Sequence, residues 1–542
     1  MTASAPEMNP QPGSAEGHDE TRLMWMVFWT VAGLLCLNAM ATLPLTPRLS
    51  RDEAEIVEYG RLILGPSSDG CMALMPGGRP ETLFGWISCL AWELGYQITH
   101  HHDAPRVLAL LGWLAAAALV VVWMRSRGVA HWLAGGMGLL MLMDPLAETP
   151  VRHGRPDAWA AALAFFAALL VRRGSSGKKA ALACSILAGV VAGIIPWVWA
   201  TGFLLLPIVM LEWWDARHDF RSLLAVLGGM AAGFILAALP VAGALSSGMQ
   251  AFVDLLKWNA ETSASTSPVY VLKDTLWIFS IHPFFLMLVC AGLGARHLRA
   301  WMLMLAALLV FMLLTRIYDS RYYYLIPFML PLAAEGARRL ATDSWRLAWS
   351  LVTASFAAII LSMIQSQFRW TILVPVTGGL LTATWIALRP VTAAALRHAA
   401  LLPALVCGLW WIVGLRDHAA AAQADSLDYR KLSMLVEVKV GRGPLKVFCP
   451  YSLYFPGRQL GWRMFRHRID ATPDDLAQLW KDCEVILIDS DLTSDQNLDP
   501  QVLKAGFQLT DTFSTGPSSF EFGGGHYGPY RVYKRVAAPS AP

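Results

Sequence analysis

The chain has 542 residues, 56% of them hydrophobic and only 15% charged, with 23 Trp and a mean hydropathy of +0.46. That is too apolar for a water-soluble protein of this length and places the chain among polytopic membrane proteins. The net charge of +4 is small, and no long Lys/Arg run offers a surface for nucleic acid. The eight Cys are scattered without a CxxC pair, which argues against a thiol-ligated zinc site.

Residues 1–22 read as a disordered cytoplasmic tail, polar, acidic and rich in Pro and Gly. The tail lacks a basic start, and the apolar run 23–45 is long enough to span, so a cleaved signal peptide is not expected. A span needs roughly 20 apolar residues, and about thirteen segments approach that length. They are 23–45, 104–124, 130–146, 156–171, 180–196, 198–213, 222–245, 279–294, 300–315, 324–340, 346–364, 370–388 and 398–415.

Alternate connections are basic: Arg125 and Arg127; Arg172, Arg173, Lys178 and Lys179; Arg217 and Arg221; Arg296 and Arg299; Arg338, Arg339 and Arg346; Arg389 and Arg397. The positive-inside rule makes these connections cytoplasmic, together with the N-terminus. The loops 46–103, 144–157, 246–278, 316–323 and 365–369, and everything beyond Leu415, are then outside.

From residue 416 to 542 the composition changes to that of a small extracytoplasmic α/β domain. Residues 445–449, 484–489 and 530–536 read as strands. Thr472-Pro473-Asp474-Asp475 reads as a helix start, with Thr as N-cap and Pro in the first turn. Cys449 and Cys483 flank two of the strands, and either a disulfide or two buried thiols fits that pattern. Gly523-Gly524-Gly525 lacks the strand–loop–helix context of a nucleotide loop.

The first outer loop, 46–103, carries the residues of most chemical interest. Ser50-Arg51-Asp52-Glu53 opens an amphipathic helix that runs to about Leu64 and breaks at Gly65-Pro66. Ser50-x-x-Glu53 fits a capping box, in which Glu53 only stabilises the helix start. Asp52 is either a carboxylate favoured by the helix dipole or a general base held ionised by that dipole. Arg79, Arg152, Arg155, Arg316 and Arg321 all fall on the outer side near span ends, where the charge rule makes basic residues scarce. Their planar forks suit a lipid phosphate, and contact with headgroups is the simpler alternative. In His153-Gly154-Arg155-Pro156-Asp157, Asp157 is either ordinary first-turn helix chemistry or a second acid facing the cleft of Asp52. In His100-His101-His102-Asp103, consecutive histidines diverge on any regular backbone and serve one ion poorly, and Asp103 reads as an N-cap, so no metal site is expected. The loop 246–278, with Phe252, Trp258, Tyr270 and Trp277, reads as an interfacial segment.

Asp52-Glu53-Ala54-Glu55, then Arg79-Pro80, then Arg106-Val107-Leu108 resemble the first loop of GT-C glycosyltransferases. The likeness is nearest to the lipid A aminoarabinose transferase and protein O-mannosyltransferase families. Gly154-Arg155-Pro156-Asp157 and Ser320-Arg321-Tyr322-Tyr323-Tyr324-Leu325-Ile326-Pro327 are similar to two further signatures of that group. The resemblance covers residues 23–415. It implies a mostly α, polytopic GT-C membrane domain of about thirteen helices. It also implies a sugar donor linked to polyprenyl phosphate, used in the inner membrane on its outer face. Asp52 matches the catalytic base; Arg79 and Arg321 take the places of residues that contact the donor phosphate. Glu53, Arg155, Asp157 and Tyr322 join them as substrate-contacting residues. Gly78 stands where the family has an acidic residue, which puts a metal site of that kind in doubt: no cofactor is certain, and a divalent metal stays as the alternative. The acceptor is a lipid, glycan or protein outside the membrane.

The chemistry is coherent from the residues alone. A phosphate leaving group needs charge neutralisation, which arginines supply. One carboxylate takes the acceptor's proton, and a single base with direct displacement implies inversion. The rival reading is a transporter or flippase. It expects ionisable groups and broken helices near mid-membrane, whereas these groups sit at the outer ends of spans.

Overall fold

The computed structural model describes residues 15–43, 51–65, 84–173, 178–216, 219–245, 250, 282–314, 319–364, 372–389, 391–413, 428–465, 473–489, 498–516 and 527–535. The helices begin with α1 (Ala15–Thr42), α2 (Arg51–Leu64), α3 (Trp86–Thr99), α4 (Ala104–Ser126), α5 (His131–Met143), α6 (Pro145–Arg152), α7 (Asp157–Arg173) and α8 (Lys178–Val198). They continue with α9 (Leu206–Ala216), α10 (Phe220–Ala238), α11 (Pro283–Gly292), α12 (Arg299–Leu314), α13 (Ile326–Leu340), α14 (Ser344–Ile364), α15 (Leu373–Leu388) and α16 (Ala393–Val413).

Among the described residues, six helical segments are long and apolar enough to cross a membrane: Asp19–Thr42, Ala104–Ser126, Ala180–Val198, Phe220–Gly243, Ser344–Met363 and Ala393–Ile412. Pro283–Gly292 and Arg296–Met312 form a further pair bent by 105°. The chain is thus a multi-pass membrane protein. Hydropathy suggested more spans because it counts apolar runs, and several of those runs fold as shorter pieces. The run 198–213 divides into a 3₁₀ segment, Ala200–Leu205, and the 11-residue α9. Helices α3 and α6 were not expected at all.

Helices α8 and α10 pack through small residues. A Cβ at Gly189 would sit 2.1 Å from the Val226 carbonyl oxygen, and one at Gly233 would sit 2.2 Å from that of Val190. Each helix carries a glycine pair four residues apart (Gly189/Gly193 and Gly229/Gly233), so the two backbones touch where a side chain would hold them apart.

One end of the helical body is closed by a polar network. Glu212 of α9 is fully buried, accepts from Trp123 Nε1 at 2.9 Å and binds both Arg127 and Arg172. Arg127 also reaches Asp215 at 3.0 Å, which accepts from Trp301 Nε1 at 2.8 Å. These bonds join α4, α7, α9 and α12, and every carboxylate in them faces at least two donors.

The C-terminal region contains α17 (Tyr429–Lys439), α18 (Tyr454–Gln459), α19 (Pro473–Lys481) and α20 (Asp499–Lys504). Its strands are β1 (Lys446–Phe448), β2 (Arg463–Phe465), β3 (Val485–Ile488), β4 (Phe507–Phe513) and β5 (Tyr530–Arg535). They form one mixed sheet in the order β2-β1-β3-β5-β4, with β1 parallel to β2 and β3, and β5 antiparallel to β3 and β4. Alternate residues separate onto two faces, as strand geometry requires. Val447, Val485, Leu487 and Val532 join the core that continues into the helices. Phe448, Ile486, Ile488 and Tyr533 pack instead with Trp480 of α19 and Val502 of α20. Strands β1, β3 and β5 and the start of α19 fall where the sequence put them.

The two cysteines stay apart. Cys449 lies in the core shared with the helices and Cys483 on the other face of the sheet, where its buried thiol contacts the Leu479 carbonyl at 3.5 Å. Burial pushes the Cys483 thiol up to about 12. The disulfide reading is therefore replaced by the buried-thiol one for Cys483.

Candidate active site

Helix α2 ends at Leu64, at the Gly65-Pro66 break read from the sequence. Its carboxylates radiate to different partners because successive residues turn by about 100°. Glu55 binds the Tyr451 hydroxyl. Glu58 accepts from Tyr454 Oη at 2.6 Å and from Arg61 at 2.7 Å. These contacts fasten one side of α2 to the C-terminal region. Glu53 is fully buried and accepts twice from Arg106 of α4, at 2.5 and 3.0 Å. A buried arginine thus takes both its oxygens, and Ser50, the other half of the capping box, lies outside the described residues.

Asp52 faces the turn between α6 and α7. Its Oδ2 accepts from Arg155 Nη1 at 3.0 Å. The same guanidinium donates to Asp157 through Nε at 2.9 Å and Nη2 at 3.4 Å, and lies 5.5 Å from the Trp199 ring centre. Burial alone would weaken the Arg155 charge, but Asp157 and Asp52 outweigh it and raise its pKa. Asp157 is fully buried and also accepts from Tyr324 Oη at 2.5 Å; Tyr324 Oη in turn meets Thr201 Oγ1 at 2.6 Å. The first turn of α7 is thus tied to the 3₁₀ segment Asp319–Leu325 and to Ala200–Leu205. Asp52 differs from every other carboxylate in this cluster. Its side chain is 38% exposed, and its Oδ1 has no partner among the described residues.

Gly154 sets the turn that presents Arg155. Its φ of +59° lies in the left-handed region, and a Cβ there would meet Pro105 at 2.9 Å and Glu53 at 3.2 Å. Its carbonyl accepts from Trp92 Nε1 at 2.6 Å, so α3 holds the same turn.

Asp52, Arg155 and Asp157 are thereby joined, with Glu53 beside them across the Gly154 turn. Tyr322 is buried and lines a separate cavity of about 20 Å³ with Asp144 and His282. Arg79 and the Arg321 side chain lie outside the described residues, as do Ser50, Gly78, Arg316 and the loop 251–281. Arg152 reaches Glu148 at 2.5 Å and Thr42 at 3.2 Å. Thr201 was not named from sequence, and Arg106 and Tyr324 were named only as parts of motifs, without a role. The Tyr322-Tyr323-Tyr324 run was noticed, but nothing in a triple tyrosine tells which ring turns toward the acid.

The histidine run also differs from expectation. His100 has a φ of +52°, which ends α3 and frees the following residues from regular geometry. His101 and His102 then stack at 4.7 Å, each 3.0 Å from an oxygen of Asp103. Burial would raise the Asp103 carboxyl, but His102, Arg106 and His101 together hold it below the ordinary value. Asp103 occupies the N-cap position of α4 without capping through its side chain.

No family model and no curated protein matches the chain. Among solved structures, it is similar to ArnT from Cupriavidus metallidurans bound to undecaprenyl phosphate. The TM-score is 0.62 at 14% identity, covering 96% of this chain and 99% of that one. ArnT from Cupriavidus metallidurans in the apo state matches with a TM-score of 0.55 at 15% identity, over 96% of this chain and 99% of that one. The arabinofuranosyltransferase AftD from Mycobacteria matches with a TM-score of 0.50 at 14% identity, over 95% of this chain and 40% of that one. Identities this low carry the architecture and nothing finer: this chain shares the fold of ArnT.

Proposed function

We propose that the chain is a membrane glycosyltransferase that moves a sugar from a polyprenyl-phosphate donor to an acceptor hydroxyl outside the membrane, with inversion. The observation that carries this reading is Asp52: a carboxylate with one oxygen fixed by Arg155 and the other unpartnered among the described residues and open to solvent. A general base needs that combination of fixed orientation and access. The neighbouring fold supports the donor class, because ArnT was solved with undecaprenyl phosphate bound.

In this reading Asp52 takes the acceptor's proton as the hydroxyl attacks the anomeric carbon, and the sugar–phosphate bond breaks on the opposite face. Arg155 holds the carboxylate oriented, and Asp157 with Tyr324 fixes Arg155. The described cluster of Asp52, Asp157 and Arg155 carries a net charge of −1. It does not attract a phosphate by itself, so the donor phosphate falls to Arg79 and Arg321. Glu53 with Arg106 keeps α2 seated, while Tyr322 lies buried beside a separate cavity. The domain limits 23–415 and 416–542, the thirteen-span plan, the cytoplasmic N-terminus and the inner-membrane setting belong to the same proposal.

The test is incubation of the purified chain with polyprenyl-phosphate sugars and envelope fractions, followed by mass spectrometry. A product heavier by one sugar, with release of polyprenyl phosphate, is expected. Vectorial movement of a lipid-linked substrate without a covalent product would return the transporter reading.

A further inference from the structure

The corner between α3 and α4 holds three side chains that the transfer reaction does not use: His101, His102 and Asp103. One ligand atom from each, a ring nitrogen or a carboxylate oxygen, falls within 4.8 Å of the other two. The His102 and Asp103 side chains are each only 9% exposed, whereas His101 is half open to solvent. Each ring takes one carboxylate oxygen. His101 Nδ1 stands 3.0 Å from Oδ2, and His102 Nε2 stands 3.0 Å from Oδ1.

Neither approach has the form of a hydrogen bond. His102 Nε2 and Asp103 Oδ1 are buried 3.0 Å apart, yet neither atom has a hydrogen-bond partner among the described residues. His101 Nδ1 already receives the Asp103 backbone N–H at 3.4 Å, so it turns a lone pair toward the carboxylate. Buried polar atoms left in this way are a standing cost. A shared cation removes the cost and fits the spacing. With bonds of about 2.0–2.2 Å to nitrogen and oxygen, an ion sits at the apex of a triangle on a base of about 3 Å, beside the line between the two atoms. The misdirection that spoils a hydrogen bond is what coordination requires. The widest span has to close by about 1 Å for one ion to reach all three ligands, and rotation of the half-exposed His101 ring supplies that.

The surroundings suit a fixed ion. Arg106, one turn further along α4, gives Nε and Nη2 to Glu53 and Nη1 to the Leu43 carbonyl, and makes no bond to Asp103. The buried Tyr429 ring of α17 lies on His102, with centres 3.9 Å apart and planes 26° from parallel.

We propose that His101, His102 and Asp103 bind one divalent transition ion of the zinc class. Two imidazoles and a carboxylate are donors that zinc takes, and two nitrogens among three ligands argue against calcium or magnesium. Three protein ligands leave a position for water, reached past His101. The ion's role is structural: it fixes His102, on which Tyr429 seats the C-terminal region, at the start of the helix whose Arg106 holds α2. The inference stands apart from the transferase reading, since binding here requires no turnover.

The experiment uses the full chain in detergent, free of any histidine tag and stripped with a chelator, titrated calorimetrically with zinc chloride. One equivalent of zinc is expected to bind, and calcium and magnesium are not. The variant His102→Gln/Asp103→Asn should weaken zinc by about 100-fold or more, and His101→Ala by at least about tenfold. His100→Asn keeps a residue that tolerates the left-handed backbone and should bind zinc as wild type does. Zinc should also raise the melting temperature of the wild type, and His101→Ala should lose most of that gain. X-ray absorption at the zinc edge of the wild type should show nitrogen and oxygen ligands, including imidazole. If the double variant does not fold, His101→Ala and this spectrum decide. A sulfur shell would assign the metal to cysteines and overturn the proposal. So would a wild type that takes up no stoichiometric zinc, or equal zinc affinity in wild type and His101→Ala.

Discussion

Two ends of α7 carry networks made of the same materials, and they are finished differently. At the end near α9, Glu212 is fully buried between Arg127, Arg172 and Trp123, and Asp215 completes the set. At the other end, Asp157 is equally buried between Arg155 and Tyr324, but the chain of contacts continues to Asp52, which stops in solvent with one oxygen unpartnered among the described residues. The first network is closed and can only hold helices together. The second is closed at Asp157 and open at Asp52, so the same ion-pair chemistry that fixes a helix there also presents a carboxylate. Whether an arginine–carboxylate group serves structure or chemistry is decided by the exposure of its last member, not by its composition.

The largest effect that sharpens this contrast comes from Arg155→Ala. It strips the buried Asp157 charge of its cation and should cost about 3–5 kcal/mol of stability. With the base no longer oriented, transfer should fall by at least about 100-fold per folded molecule. Thermal unfolding in detergent and a transfer assay normalised to folded protein check the two parts. Arg155→Lys should recover much less than full activity, because one ammonium does not reproduce the fork that spans Asp52 and Asp157. Glu212→Ala is the matched change at the closed end. It should destabilise by about 3 kcal/mol or more yet leave transfer per folded molecule unchanged. A Glu212 variant that folds but does not transfer would erase the distinction.

Smaller effects follow. Tyr324→Phe removes a donor from the buried Asp157 and should cost about 1–3 kcal/mol, again measured by thermal unfolding. His153, beside this cluster, gives the weakest handle. Burial lowers its pKa below 6.5, with Glu53 opposing and Arg106 adding to the depression. The folded chain therefore resists a proton that the unfolded chain accepts, so stability should decline as pH falls through the ordinary imidazole range. His153→Gln should flatten that slope in melts taken between neutral and mildly acid pH.

Much of the architecture was legible because its signals are local. Gly65-Pro66 ended α2 where expected, Pro473 started α19, and short β-branched runs gave β1, β3 and β5. What stayed hidden depends on contacts distant in sequence. Strand β4, Phe507–Phe513, is mostly exposed along its length and shows no apolar alternation, and β2 is three residues long. Sequence singled out Asp52, Glu53, Arg155 and Asp157, but not which would pair. Glu53 finds Arg106 across 53 positions, and Asp52 finds Arg155 across 103. The fit of Gly154 against Pro105 and Glu53, which fixes that pairing, leaves no trace in the motif beyond a glycine.

The central claim is tested most directly by Asp52→Asn, which keeps the shape of the side chain and the contact with Arg155 while removing its basicity. Donor binding and catalytic turnover are measured side by side on the reconstituted variant with a polyprenyl-phosphate sugar. The account expects donor affinity near wild type and transfer reduced by about 100-fold or more. Turnover close to wild type would contradict it, and the solvent-facing end of the outer network would then be no more than another fastening.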